Sequence, residues 1–230
     1  SGYRNMDCSF VLHKGEILGM SGLVGAGRTE LMRAIYGADK KQIGSIILNG
    51  KEVEIKSPKQ ALAAGIGLIP EDRKVQGCFL NMTIEWNISI SNIKKLTTSK
   101  LIDKKKIARQ AEEYREKLNI KTPSLKQKVG NLSGGNQQKV VLAKVMATNT
   151  DILIFDEPTR GIDIGARHEI YQLMTELVES GKSIIMISSD MEELLGMSDR
   201  IIVLSEGKIS GEVFKQEFSQ EKVMALASNE

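Results

Sequence analysis

Aromatic residues are scarce in this chain: Phe, Trp and Tyr make up 4% of its 230 residues, with a single Trp. Ten methionines take over part of the filling that rings would do, because their side chains are flexible and polarizable. Cysteine is rarer still. Cys8 and Cys78 stand seventy positions apart, too few and too dispersed for a disulfide framework or a thiolate zinc site. No apolar run reaches the ~18 residues of a membrane span, and the first residues, Ser1-Gly2-Tyr3-Arg4, lack the apolar core of a signal peptide. An excess of one charge is missing too: 32 basic against 29 acidic residues leave +3. A nucleic-acid binder would show a strong, clustered basic face, so no nucleic-acid partner is expected. What remains is a chain read as soluble, cytosolic and reduced, of a length for one enlarged domain. Its 41% hydrophobic content is enough for a full core.

Proline is limited to four residues while glycine reaches 21, so glycine supplies most of the punctuation. Ile17-Leu18-Gly19-Met20 reads as a strand running into a glycine cluster. Behind it Leu31, Met32, Ala34 and Ile35 suggest a helix stopped by Gly37. Asn49-Gly50, between Ser45–Leu48 and Lys51–Ile55, signals a hairpin, since Asn-Gly adopts positive φ readily. Ser57-Pro58 opens a further helix, and Gly67-Leu68-Ile69-Pro70 reads as a strand. Residues 80–130 are Lys-rich, lack strand runs and keep helical spacing at Ile107, Ala111, Tyr114 and Leu118, with Lys104-Lys105-Lys106 on a solvated helix start. A helix is expected over Gln137–Met146, a strand over Asp151–Phe155, a helix over about 166–180 and a strand over Ser183–Ile187. Short β-branched runs separated by helices indicate a parallel sheet buried on both faces.

Three motifs carry chemistry. Gly22-Leu23-Val24-Gly25-Ala26-Gly27-Arg28-Thr29 matches the G-x-x-x-x-G-K-[ST] phosphate loop except that Arg28 replaces Lys. Glycines let the backbone curl round phosphates at a helix N-terminus, which favours anions. Thr29 is placed to ligate Mg²⁺. Taken alone, an ordinary glycine-rich turn fits as well. Arg28 keeps the charge, but its planar, bulkier head need not reach phosphates as an ammonium does. Next, the apolar strand Ile152–Phe155 ends in Asp156-Glu157, two adjacent carboxylates that are costly at a buried strand end unless a cation or a reaction uses them. Finally Leu132-Ser133-Gly134-Gly135-Asn136-Gln137 stands at a helix start, some twenty residues before Asp156.

Leu-Ser-Gly-Gly-x-Gln followed by a strand ending in Asp-Glu-Pro-Thr closely resembles the nucleotide-binding domain of ATP-binding cassette (ABC) proteins, and the resemblance spans essentially the whole chain. It implies an α/β fold: a P-loop NTPase (RecA-like) core with a mainly parallel sheet over about 15–75 and 137–230, a small antiparallel β subdomain, and a helical subdomain over about 80–136. It also implies ATP and Mg²⁺ as ligands. Gly22, Leu23, Val24, Gly25, Ala26, Gly27, Arg28 and Thr29 would hold the phosphates; Thr29 and Asp156 the Mg²⁺; Glu157 would be the general base. Leu132, Ser133, Gly134, Gly135, Asn136 and Gln137 would reach the nucleotide of an opposing cassette, and Asp163 the opposite domain.

Departures from that pattern are informative. Where the family has a Gln after the second strand, the chain reads Ile69-Pro70-Glu71-Asp72-Arg73-Lys74, so Glu71 would approach Mg²⁺ as a charge. Where a switch His is usual, Ser189 stands. His13 and His168 lie elsewhere, expected on the surface. Tyr3 is the only candidate to stack on adenine. Together the motifs look like the second, carboxy-terminal cassette of bacterial monosaccharide-import ATPases, whose two cassettes are fused. The chain is then expected to be part of a longer polypeptide, peripheral on the cytoplasmic face of the plasma (inner) membrane. Its partners would be a second cassette, transmembrane permease subunits and, indirectly, a periplasmic or extracellular sugar-binding protein. Phe79, Leu80, Met82 and Trp86 would meet the permease, with core packing the alternative for Trp86. The alternative is a catalytically weak half that chiefly offers its Ser133 loop to a partner site, as Arg28 and Ser189 suggest.

Overall fold

The computed structural model of the protein describes residues 8–40, 43–98 and 101–228. In chain order its elements are β1 (Ile17–Gly22), α1 (Arg28–Ile35), β2 (Ile46–Leu48), β3 (Lys51–Val53), α2 (Pro58–Ala63) and β4 (Ile66–Ile69). A single π turn (Arg73–Gly77) precedes α3 (Ile84–Ser89), then come β5 (Thr97–Thr98), β6 (Leu101–Ile102), α4 (Lys104–Lys117), α5 (Gly134–Met146) and β7 (Ile152–Asp156). The chain ends through α6 (Ile164–Glu179), β8 (Ser183–Ile187), α7 (Met191–Met197), β9 (Arg200–Ser205), β10 (Lys208–Phe214) and α8 (Gln220–Ser228).

Two compact units emerge: Ser1–Leu68 with Asp151–Glu157 and Met174–Glu230, and Ile69–Thr150 with Pro158–Leu173. The first is built on a six-stranded sheet of order β10-β9-β1-β8-β7-β4. β1 runs parallel to both β8 and β9, β7 runs parallel to β8, and β10 closes the edge antiparallel to β9. Central strands of such a sheet are covered on both faces, which is why they read as unbroken apolar runs; every residue of β8 and β9 is buried. Leu18, Met20, Met32, Ile66, Ile154, Ile185, Ile187 and Ile202 form one core cluster. Register then sets the chemistry. Ile187 lies opposite both Met20 and Asp156, so the carboxyl ends of β1, β7 and β8 share one edge, the place where open α/β sheets hold ligands.

The expected hairpin forms with β2 and β3 antiparallel, and Asn49 (φ 50°) and Gly50 (φ 76°) both at positive φ. Ser57 caps α2 through the Gln60 amide, with Pro58 in the first turn.

In the second unit α3 packs on α4 and on α5. Ile107, Ala111 and Leu118 are buried as their spacing required, while Lys104, Lys105 and Lys106 are exposed. Asp103 accepts from the amides of Lys105 and Lys106, so a carboxylate offsets lysines at the helix end least suited to them. One expectation is corrected. Residues 80–130 do contain strand, since β5 pairs antiparallel with β6. Two-residue strands with Leu101 and Ile102 exposed bury no alternating face and leave no periodic signal. The compact unit that holds α3 and α4 also holds α5, which packs on α3.

These burials predict a sharp contrast. Leu18→Ala, at a fully buried site of β1, should cost about 2–5 kcal/mol and lower the melting temperature by roughly 5–20 °C. Ile47→Ala on exposed β2 should stay within about 0.5 kcal/mol. Thermal melts of the two variants check this.

Candidate functional site

The glycine loop leaves the sheet at Gly22, whose φ of 151° and closeness to the Leu204 carbonyl leave no room for a Cβ. Gly25 (φ 80°) and Gly27 (φ 102°) are also in the glycine-favouring region. Ala26 N–H donates to Leu23 O at 2.9 Å, and Ala26 O accepts from Gly207 N–H at 3.1 Å. The turn between β9 and β10 therefore props the loop from behind. Gly27 enters α1 with no side chain capping it. An uncapped helix start with a curled approach is a ready anion seat.

Thr29, in the first turn of α1, donates its hydroxyl to Asp156 Oδ1 at 3.1 Å, so two of the three expected Mg²⁺ ligands stand together. Asp156 is buried, and burial pushes its carboxyl up from 3.8 to about 6. The Thr29 bond and Arg28 oppose this, and the charges of Glu157 and Glu30 add to it. A carboxylate raised in this way by burial is one that a bound cation would relieve. The donor set, hydroxyl and carboxylate oxygen, suits a hard ion such as Mg²⁺.

Glu157 sits at φ +51°, a left-handed backbone that costs a non-glycine residue about 1–3 kcal/mol and is concentrated at functional sites. Its amide is held by Ile187 O at 2.9 Å, and its Oε2 accepts from Ser189 Oγ at 3.0 Å. Ser189, which stands where the family has histidine, thus reaches the candidate general base. Arg28 Nη1 donates to Ser188 O at 2.9 Å, which ties the glycine loop to the end of β8. Ser188 in turn donates to Glu193, and Asp190 caps α7. The Arg28–Ser188 contact carried no signal in the sequence, because it joins segments 160 positions apart through a backbone carbonyl.

In the second unit, Ser133 stands at the head of α5 and accepts from Asn136 Nδ2 at 3.0 Å. Asn136 Oδ1 accepts from Lys121 N–H. Gln137 is buried and donates to Leu132 O at 3.1 Å, which makes it a brace for the loop. Gly135 faces Ala166 so closely that a Cβ would lie 2.7 Å from its methyl. Asp163 Oδ1 accepts from Ala166 N–H, holding the first turn of α6. Lys139, buried, pairs with Glu169 at 2.7 Å. The carboxylate of Glu71 has a partner other than the expected Mg²⁺: it pairs with Arg160. His13 and His168 are exposed, as expected. Tyr3 lies outside the described residues. Among the described residues no group of three or more His, Cys, Asp or Glu could hold a metal. No helix among the described residues is long and apolar enough to cross a membrane.

Comparison with known proteins agrees with this geometry. The family described as ABC transporter matches residues 6–160. The ribose import ATP-binding protein RbsA of Clostridium tetani is 51% identical over 228 residues, 98% of this chain and 45% of that protein. RbsA of Oceanobacillus iheyensis is 53% identical over 227 residues, 99% of this chain and 46% of its own length. The xylose import ATP-binding protein XylG of Moorella thermoacetica is 51% identical over 223 residues, covering 96% and 44%. The chain thus spans just under half the length of these relatives. Among solved structures, an ATP-binding cassette in a dimeric post-hydrolysis state bound to ADP and Pi superposes with a TM-score of 0.76 at 22% identity, over 91% of this chain and 89% of that one. A nucleotide-free cassette from an ABC transporter gives 0.77 at 24%, over 94% and 88%. Identities this low establish the fold: a P-loop NTPase core with a mostly parallel sheet.

Buried Asp156 makes stability depend on pH. With its carboxyl raised to about 6, the folded chain holds this proton more tightly than the unfolded chain. The stabilising contribution is full below about pH 3.8 and is lost as pH rises through about 6. In Mg²⁺-free buffer, Asp156→Asn should therefore stabilise the protein at pH 7.5 by about 1–3 kcal/mol, and the gain should vanish below about pH 4. Paired melts across that range measure it; an equal gain at both ends would contradict the burial argument.

Proposed function

Since this chain belongs to the ABC transporter family, we propose that it is a nucleotide-binding cassette that hydrolyses MgATP to drive import of a monosaccharide. The observation carrying the reading is the meeting of Thr29 with Asp156 at the mouth of the glycine loop, with Glu157 beside them held by Ser189. Backbone amides of residues 22–29 bind and orient the phosphates. Arg28 adds a positive charge that Ser188 O keeps at the rim of the loop. Mg²⁺, when bound, would supply charge neutralisation on the phosphate oxygens. Thr29 and Asp156 would hold it, and Asp156 would lose its proton in doing so. Ser189 donates to one oxygen of Glu157, which fixes the carboxylate and leaves its other oxygen to take the proton of the attacking water.

The wider setting belongs to the same proposal. The relatives are rather more than twice as long as this chain, which leaves room for a second cassette in one polypeptide, with this chain as its carboxy-terminal half. Ser133 and its neighbours, with Asp163, would face nucleotide and protein of that second cassette. Val75 and Phe79 are exposed apolar side chains that suit a permease surface, and Leu80, Met82 and Trp86, partly buried, would support them. A sugar-binding protein would deliver substrate from the other face, and the cassette would lie peripherally on the inner membrane. The relatives' names point to ribose or xylose.

Glu157→Gln in the full-length polypeptide, assembled with its membrane partner, should lower ATP turnover at least roughly a hundredfold while ATP binding persists. Ser133→Ala should be less severe. If Ser133→Ala abolished turnover and Glu157→Gln left it intact, the cassette would act chiefly by offering its Ser133 loop to a partner's site.

A further inference from the structure

Arg73 and Glu71 have no task in the site just described, yet together they hold Arg160 and Gly161 through three contacts. Arg73 donates to two successive carbonyls, from Nη1 to Arg160 O at 2.7 Å and from Nη2 to Gly161 O at 2.9 Å. Glu71 pairs with the guanidinium of Arg160, so one short segment grips Arg160 by backbone and side chain together. The same edge of Arg73 lies against the Ser133 loop: a Cβ on Gly134 would stand 2.8 Å from Nη2 and 3.1 Å from Gly161 O. No side chain fits between the Ser133 loop and the Arg73–Gly161 bond.

The anchor is itself built. Asp72 Oδ1 accepts from the amides of Lys74 and Val75, and Cys78 N–H returns to Arg73 O at 2.9 Å, which closes the π turn. Single π turns of this kind recur at functional sites. Gly77 packs on α5, where a Cβ would lie 2.9 Å from a Val141 methyl, and Lys144 of α5 donates to Gly77 O. Helix α5 therefore carries both the turn that holds Arg73 and, at its first residue, the glycine that Arg73 abuts, so the circuit is closed. Nε of Arg73 is buried with no partner. An orphan donor of this kind costs stability and calls for an explanation beyond it. Lysine could not replace the arginine, because a single ammonium does not span two successive carbonyls as a planar guanidinium does.

We infer that Arg73, assisted by Glu71, is a positioning residue that holds the 159–163 loop and the Ser133–Gly134 turn in one shared conformation. The two surfaces assigned above to an opposing cassette are then set jointly, from the segment that follows β4. The consequence for turnover rests on the proposed function; the clamp rests on the hydrogen bonds alone.

The test is amide hydrogen exchange on the full-length polypeptide, with ATP turnover measured on the same samples. Arg73→Lys should raise exchange in residues 159–163 and 133–137 together, by about tenfold or more, with β7 and β8 unchanged. Turnover should fall comparably with little change in KM for ATP. Glu71→Gln, at a half-exposed pair, should give a smaller rise confined to 159–163, and the swap Glu71→Arg with Arg160→Glu should reverse it. Unchanged exchange in Arg73→Lys would overturn the clamp, as would a rise in one loop only. Raised exchange with unaltered turnover would overturn the positioning role. A full-length wild type without ATP turnover would sink the functional reading instead, with the exchange data still deciding the clamp.

Discussion

The structure depends on one constraint: a carboxylate is buried where three parallel strands end together. Asp156 terminates β7 opposite Ile187 of β8, beside the strand that feeds the glycine loop, and it is almost wholly removed from water. An apolar strand gains nothing from such a residue and suffers its desolvation, which is why the carboxyl is pushed up to about 6. The protein relieves the cost in part through the Thr29 hydroxyl. The remainder is a latent affinity for a cation, and the curled loop places that affinity beside an anion seat. In the proposed function the cation and phosphate sites would be two halves of one electrostatic arrangement.

Around this centre the chain replaces reach with bracing. Arg28, which stands where the phosphate loop usually has lysine, spends a donor on Ser188 O. Ser189, where the family has histidine, holds Glu157 by a hydroxyl. Glu157 itself sits in a strained backbone fixed by a bond to Ile187 O. The second unit follows the same habit: Asp163 holds the first turn of α6, Gln137 braces the loop that contains it, and Arg73 joins two loops by their backbone carbonyls. In each case a polar side chain is used to set the place of another group.

What the sequence made legible follows from how locally each feature is encoded. The sheet was readable because buried parallel strands such as Ile152–Phe155 and Ser183–Ile187 must be apolar throughout. The hairpin was readable because Asn49-Gly50 reports its own φ angles. The glycine loop, Asp156 and Glu157 were found because their spacing is fixed by a turn and a strand end. Ser189 was legible as the residue standing where the family has histidine, but its bond to Glu157, 32 positions away, was not. By contrast, β5 and β6 bury no face and so left no pattern. The packing of α5 on α3 is concealed from any periodicity by its nearly all-round burial. Arg73 was quoted as part of a motif and given no task, because a bond from a side chain to a carbonyl 87 positions away has no signature in composition or spacing. The pairing of Glu71 with Arg160 has no signature there either, because the two stand far apart in the chain.

The central claim, that Asp156 is the cation side of a phosphate seat, is tested most directly by the Mg²⁺ dependence of ATP affinity, measured by calorimetry on the wild type and Asp156→Asn. The account predicts that Mg²⁺ tightens ATP binding to the wild type by about tenfold or more. In the variant most of that gain should disappear, while Mg²⁺-free binding should be no weaker, since a negative charge has been removed. An undiminished Mg²⁺ gain in Asp156→Asn would contradict it.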